Sequence, residues 1–277
     1  MSPTAEASTG AAGGQSADRY LGVDGARLRY REQGRGAAVL LVHGWTLDLE
    51  VWESQVEALR HRFRVIRFDR RGFGRSSGRP SIEQDARDIG ALCRHFKLER
   101  VALVGMSQGC RAVLAYACAH AHEISCIALD GPPTLDRSNL GENLSLASLR
   151  ELARTQGLAA FRTQWLQHSL MQLRTRDGAT RELLRCIIER YPGNDLGEGA
   201  VDAPPPDLWL QLESLKVPAL VITGEHELPE RVRSADTIAK RLPAATRAVI
   251  SESGHLASLD NPEPYNRLLA TFLTRHA

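Results

Sequence analysis

The segment VALVGMSQGCRAVLAYA, Val101 to Ala117, sets Ser107 between two glycines, after an apolar run and before a helical pattern. Such a serine could be a nucleophile lifted on a sharp turn, because Gly105 and Gly109 permit the close backbone approach that the turn needs. It could equally be an ordinary turn residue where a strand becomes a helix. Nucleophilic chemistry would require three further parts in the same chain: a base, an acid to orient the base, and donors for a developing oxyanion.

Each part has a candidate. SESGHLASLDNPEPYNRLLATFL carries His255 in a loop between the last apolar run and the last helical pattern, where a side chain can reach over the edge of a sheet. His61, His95, His120, His122 and His168 fall on helical or surface segments, and His276 lies near the end of the chain. EHELP places Glu227 three residues past Gly224, as the acid, and Asp130 at the end of SCIALD competes for that role. The backbone amide of Gln108 would point from a helix N-terminus at a forming oxyanion. A second amide is expected from HGWTLDLEVW, where Gly44 allows close approach and Trp45 donates. His43, beside Gly44, reads as a loop-shaping hydrogen-bonding group.

These residues need a scaffold that brings them together. AAVLLVHG, RVIRFD, VALVGM, SCIALDG, PALVITG and TRAVIS are short apolar runs ending in turn residues, the pattern of strands buried on both faces. YLGVDGARLRYRE, ahead of them, alternates around Asp24-Gly25 as a hairpin would. Amphipathic helices separate most of the runs. In SIEQDARDIGALCRHF, Ser81 and Gln84 stand at capping-box spacing, and Ile82, Ala86, Ile89, Leu92, Cys93 and Phe96 share one face. Alternating strands and helices predict an α/β fold, with a mostly parallel central sheet and helices on both faces.

Residues 132–216 break the rhythm, with helical patterns, no good strand, and the breaker run Pro204-Pro205-Pro206. A helical lid over the carboxyl ends of the strands is the simplest reading. The expected division is a tail over 1–18, a core over 19–131 and 217–277, and a lid over 132–216. Trp165, Phe161 and Met171 recur on a lid helix, and Trp45 and Trp52 flank the HGW loop; packing is their common role, with Trp45 and Trp165 taken as the substrate-binding pair.

Composition sets outer limits. Lys+Arg 35 against Asp+Glu 33 gives a formal net charge of +2, so no bulk field argues for nucleic acid or membrane. The stretch RHRFRVIRFDRRGFGR is expected to be a strand whose arginines occupy the wet positions. Cys93, Cys110, Cys118, Cys126 and Cys186 lack paired metal spacing and read as buried thiols of a reducing compartment. The opening MSPTAEASTGAAGGQSAD has no basic start and no apolar run of signal length, and no later segment suits a membrane span. A cytoplasmic protein acting on a small molecule, without metal or cofactor, is the expectation.

The order HGW, DRRGFGRS, GMSQG, GEHELP, SGH resembles the α/β-hydrolase superfamily, in its compact lidded branch of esterases, lactonases and C–C bond hydrolases. The resemblance runs from about Tyr20 to the C-terminus. It implies Ser107 as nucleophile, His255 as base, and the amides of Gln108 and Trp45 as the oxyanion hole. It also implies that Asp69, Gly72 and Gly74 shape the loop after RVIRFD. The sequence departs from the family in having glutamate at position 227, where aspartate is usual, and Cys110-Arg111 where small residues are commoner. Serine at 107 excludes the branches with a nucleophilic aspartate. Three functions stay open: a serine hydrolase of a small carboxylic ester or lactone acting through an acyl-enzyme, a cofactor-free dioxygenase of N-heteroaromatic rings using a His/Asp dyad, and a non-catalytic ligand receptor.

Overall fold

The apolar runs do become strands. The computed structural model describes residues 17–135, 146–197 and 208–277. The tail over 1–16, the insert's residues 136–145 and the Pro204-Pro205-Pro206 run lie outside the described residues. Strands β1 (Arg19–Val23) and β2 (Ala26–Gln33) form the hairpin around Asp24-Gly25, with Val23 opposite Ala26. Then follow β3 (Ala37–Val42), β4 (Phe63–Phe68), β5 (Val101–Met106), β6 (Ile124–Asp130), β7 (Ala219–Gly224) and β8 (Ala245–Ile250). They make one eight-stranded sheet in the order β1-β2-β4-β3-β5-β6-β7-β8. From β4 onward every neighbouring pair is parallel, and β2 meets β4 antiparallel.

This order fixes where a site can form. Chain progress runs from β3 to β4 on one side and resumes at β5 on the other, so the crevice beyond the carboxyl ends of β3 and β5 is a topological switch point. The loops after β3 and β5 carry Trp45 and Ser107. Those after β7 and β8 carry Glu227 and His255 from farther along the same edge.

Helices cover both faces. They are α1 (Glu53–Leu59), α2 (Ile82–His95), α3 (Gly109–Ala119), α4 (Leu146–Leu166), α5 (Gly178–Arg190), α6 (Leu208–Gln211), α7 (Pro229–Arg241), α8 (Ala257–Asp260) and α9 (Pro262–His276). Central strands are buried on both sides, so two apolar layers result. One sets Val39, Leu41, Val104 and Ala128 against α1, α9 and the insert. The other sets Leu40, Val42, Leu103 and Ile127 against α2 and α3. Each large aliphatic side chain so buried contributes roughly 1.5–3 kcal/mol of transfer free energy. Among the described residues the insert contains helices and no strand, and α4 is interrupted at Gly157, whose φ of 86° no helix accepts.

One expectation is corrected. The arginines of RVIRFDRR do not sit at wet positions: Arg67, Arg70 and Arg71 are buried. Arg70 forks onto Asp85 through Nε at 2.9 Å and Nη2 at 2.5 Å, and Arg71 onto Asp88 at 3.0 and 2.8 Å. Arg67 pairs with Glu53 at 3.0 Å. Asp85 and Asp88 lie on the buried side of α2, although period alone assigns carboxylates to its wet side. A planar guanidinium with five donors can be fully paired in the interior, and that is what the alternation in sequence cannot reveal.

Candidate active site

Ser107 occupies a turn that few residues tolerate. Its φ is 49°, between strand β5 and helix α3. A Cβ at Gly109 would lie 2.5 Å from the Val42 carbonyl oxygen, and one at Gly105 would lie 2.9 Å from Val113 Cγ2 and 3.0 Å from the Cys110 backbone nitrogen. Both glycines are therefore required for packing the turn against β3 and α3. The Ser107 amide donates to the Asp130 carbonyl at 2.7 Å, fixing the turn to the end of β6. Cys110 points inward, its thiol donating to the Gly105 carbonyl at 3.2 Å, and burial pushes that thiol well above its usual range.

His255 reaches Ser107 from the loop after β8. Its Nε2 lies 3.0 Å from Ser107 Oγ, and its Nδ1 lies 2.6 Å from Glu227 Oε2. All three side chains are buried, with relative exposures of 7% for Ser107, 4% for His255 and 7% for Glu227. A carboxylate only accepts, so Nδ1 carries the imidazole proton, which leaves the Nε2 lone pair facing the serine hydroxyl. Burial works to raise the Glu227 carboxyl, but the charge and hydrogen bond of His255 and the Leu228 amide outweigh it and hold the group below the ordinary carboxylate range. Glu227 Oε1 takes that amide at 2.8 Å.

Asp130, the competing acid, is not in this chain of contacts. Neither of its oxygens has a hydrogen-bond partner among the described residues, and the Tyr265 hydroxyl stands beside it outside bonding geometry. Complete burial, followed by the nearby Glu227 charge, pushes its carboxyl well above the usual range. Burial thus favours the protonated form of Asp130 under the site, and Glu227 is the carboxylate on the histidine.

The loops holding these groups are sewn together. His226 N–H donates to the Ser253 carbonyl at 2.8 Å and Glu225 N–H to that of Ile250 at 2.8 Å, binding the Glu227 turn to the His255 loop. Asp260 Oδ2 accepts from Gly254 N–H at 2.8 Å, while its Oδ1 accepts from the amides of Arg174 and Thr175, at 2.6 and 3.0 Å, in the insert. No sequence pattern marked Asp260; its signal was proximity to His255 on a one-turn helix.

Of the two amides read as an oxyanion hole, Gln108 follows Ser107 directly, and Trp45 follows Gly44, where a Cβ would lie 3.2 Å from Ser107 Cβ. Among the described residues neither the Trp45 nor the Gln108 backbone N–H donates to a protein acceptor. His43 shapes this arrangement: its Nδ1 donates to the Gly44 carbonyl at 2.8 Å, and its Nε2 accepts from Arg70 N–H at 2.8 Å. Holding the Gly44 carbonyl turns the amide on the other side of the same planar peptide, that of Trp45, in the opposite direction. Burial, with the adjacent Arg70 charge, lowers the His43 pKa to about 3, so the imidazole stays neutral in this role. Gln108 is latched through its side chain, whose Oε1 accepts from Arg70 Nη1 at 2.6 Å.

Trp45 and Trp165 meet edge-on, their rings 4.8 Å apart, within an aromatic group that includes Phe161 and Tyr191. Trp165 is 1% exposed and donates its indole N–H to Thr46 Oγ1 at 2.7 Å, so packing occupies the ring. Arg111 is buried and donates to the Thr134 carbonyl at 3.1 Å, at the start of the insert. All five cysteines are free thiols; Cys93, Cys110 and Cys126 are buried, Cys118 and Cys186 half-buried. Among the described residues the one grouping with metal-ligand spacing, Glu225, His226 and Glu252, is exposed. No helix among them is long and apolar enough to cross a membrane.

Comparison with known proteins agrees with this fold. Residues 37–262 match the family model for the alpha/beta hydrolase fold. A putative 2-succinyl-6-hydroxy-2,4-cyclohexadiene-1-carboxylate synthase of Bacillus subtilis is 26% identical over 270 residues, covering 91% of this chain and 96% of that protein. A thermophilic esterase from Thermogutta terrifontis superposes with a TM-score of 0.80 at 26% identity, over 95% of this chain and 100% of that one. The enol-lactonase from Burkholderia xenovorans LB400 gives 0.79 at 26% identity, over 92% and 100%. The chain belongs to the α/β-hydrolase family and is an enzyme of hydrolase type.

Proposed function

We propose that the protein is a serine hydrolase that cleaves a small carboxylic ester or lactone through an acyl-enzyme on Ser107. The observation that carries this reading is the continuous contact Ser107–His255–Glu227, at 3.0 and 2.6 Å, in a nearly dry site. Relatives named as an esterase and an enol-lactonase, each 26% identical, support ester or lactone as the bond class.

The steps follow from the donors and acceptors. His255 Nε2 takes the Ser107 proton as Oγ bonds to the substrate carbonyl carbon, and Glu227 stabilises the imidazolium without taking its proton. The carbonyl oxygen becomes an oxyanion against the Trp45 and Gln108 amides. Collapse breaks the bond to the leaving alkoxide, which receives the proton from His255. Water, deprotonated by the same nitrogen, then attacks the ester on Ser107 and releases the carboxylic acid. A lactone follows the same path with the leaving hydroxyl still attached to the acid. Residues 132–216 act as the lid over this site and 19–131 with 217–277 as the core.

The dioxygenase reading would pair His255 with a carboxylate at the end of β6. Asp130 holds that position but lacks a hydrogen-bond partner among the described residues, and burial disfavours its charged form. A panel of p-nitrophenyl esters of increasing acyl length and a set of lactones, assayed with wild type and Ser107→Ala, tests the proposal. Turnover in the wild type that Ser107→Ala abolishes is the expected result. Oxygen uptake that survives Ser107→Ala would refute it.

A further inference from the structure

The loop carrying the Trp45 amide is under strain, and the insert holds it in place. Thr46 has a φ of 62°, an unfavourable region for a β-branched residue. Its hydroxyl donates to the Trp45 carbonyl at 2.6 Å and accepts the indole N–H of Trp165, on α4, at 2.7 Å. The indole N–H of Trp45 donates to Asp195 Oδ2, and the Tyr191 hydroxyl donates to Asp195 Oδ1. Both donors therefore converge on one carboxylate from the chain that follows α5.

Three further bonds tie the same part of the insert to this stretch and to the loop after β4. Arg190 donates to Asp48 Oδ2 at 2.8 Å and to Glu50 Oε2 at 2.6 Å, at the far end of the Trp45 loop. Asn194 Nδ2 donates to the Gly72 carbonyl at 3.0 Å. Together these residues fix the Trp45 side chain, its carbonyl by way of Thr46, and the loop's exit.

We infer that Asp195 and Trp165 are positioning residues for the oxyanion donor of Trp45, so that docking the insert and assembling the oxyanion hole are one event. This rests on the reading of Ser107 as the nucleophile. The physical reason is the strain at Thr46: a backbone held in a sparsely populated region persists only where its surroundings over-determine it. Without the bonds from Trp165 and Asp195, the Trp45–Thr46 segment relaxes and its amide leaves the oxyanion. A donor must sit about 3 Å from the oxyanion to act, and a misplacement near 1 Å can cost on the order of 100-fold in rate. Residues that merely lined a pocket would instead affect substrate binding.

The test measures pre-steady-state acylation by p-nitrophenyl acetate and the rate of Ser107 labelling by a fluorophosphonate. The variants are Trp165→Phe, Asp195→Ala and their combination. Trp165→Phe keeps an aromatic ring in the stack while deleting the donor to Thr46 together with one ring of the indole. Each single variant is expected to slow acylation and labelling by roughly 10- to 100-fold, with KM held and labelling still complete at long times. Because both act through one loop, the double variant should fall short of the product of the two losses. If Asp195→Ala fails to fold, Trp165→Phe alone decides. Wild-type rates in a folded variant, or a raised KM with acylation unchanged, would overturn the positioning role while leaving the nucleophile intact. A wild-type enzyme not labelled at Ser107 would instead overturn the nucleophile reading, and this inference with it.

Discussion

Glu227 Oε2 lies 2.6 Å from His255 Nδ1, while Asp130, at the end of the neighbouring strand β6, has no hydrogen-bond partner among the described residues. The imidazole draws one carboxyl toward its ionised form, and burial pushes the other toward its protonated form. Two acids this close cannot both carry charge cheaply, and their environments divide the roles.

Glu227→Gln should therefore lower kcat by about 10³- to 10⁴-fold, because an amide cannot stabilise the imidazolium and favours the wrong tautomer. Asp130→Asn should leave kcat within a few-fold of wild type, since a neutral amide replaces a neutral acid. Steady-state kinetics of the two variants side by side checks this; the reverse ranking would transfer the acid to β6.

The same pair predicts a dependence of stability on pH. The Asp130 carboxyl is raised in the folded state, so its contribution is fully present below the unfolded carboxylate pKa near 3.9 and is lost as pH rises toward the folded value. Asp130→Asn removes that loss. Its melting temperature, relative to wild type, should rise progressively from pH 4 upward. A difference that does not change with pH would show that the fold leaves the Asp130 carboxyl unshifted.

Much of this was legible in sequence because local rules and global fold agree there. Ser107, Gln108 and His255 are marked by glycines, an apolar strand and a following helix, all readable from neighbours. Glu227 was legible by its place after β7, but choosing it over Asp130 required knowing which carboxyl the imidazole faces. The buried ion pairs were not legible. Arg70 and Asp85 are 15 residues apart, and an alternating strand gives arginine no reason to be inside until the partner on α2 is known. Thr46 and Asp195 were missed for a similar reason: one is defined by backbone strain, the other by a contact 150 residues away from Trp45.

Arg70 joins Asp85, His43 and Gln108, so it tests the buried network. Arg70→Met should destabilise the protein by about 3–5 kcal/mol, because Asp85 is left buried without its counter-charge. Adding Asp85→Leu should recover most of that stability. The recovered protein should still be slower than wild type, since Gln108 has lost the donor that fixes its side chain. Urea denaturation combined with kinetics separates the two effects.

Asp260 supports His255 from behind by accepting the Gly254 amide and two amides of the insert. Asp260→Ala leaves the buried Gly254 amide and the part-buried amides of Arg174 and Thr175 short of an acceptor, at about 1–3 kcal/mol for each that water cannot reach. The expected outcome is a lower melting temperature together with a kcat reduced about 10- to 100-fold through a loosened imidazole. Thermal melts and turnover measured on the same preparation check it, and loss of stability with kcat intact would limit Asp260 to a structural role.

His255→Ala should reduce kcat by about 10⁴-fold or more, leaving the residual rate that amide donors and binding supply. Near-full turnover in a folded His255→Ala protein would remove the base from the account.

The central claim is a covalent acyl-enzyme on Ser107, and intact-protein mass spectrometry after rapid acid quench tests it most directly. Wild type mixed with p-nitrophenyl acetate should gain one acetyl group, which peptide mapping should locate on Ser107; Ser107→Ala should gain none while keeping the wild-type fold by circular dichroism. An acetyl group carried on any other residue in turnover, or p-nitrophenol release by Ser107→Ala at the wild-type rate, would contradict it.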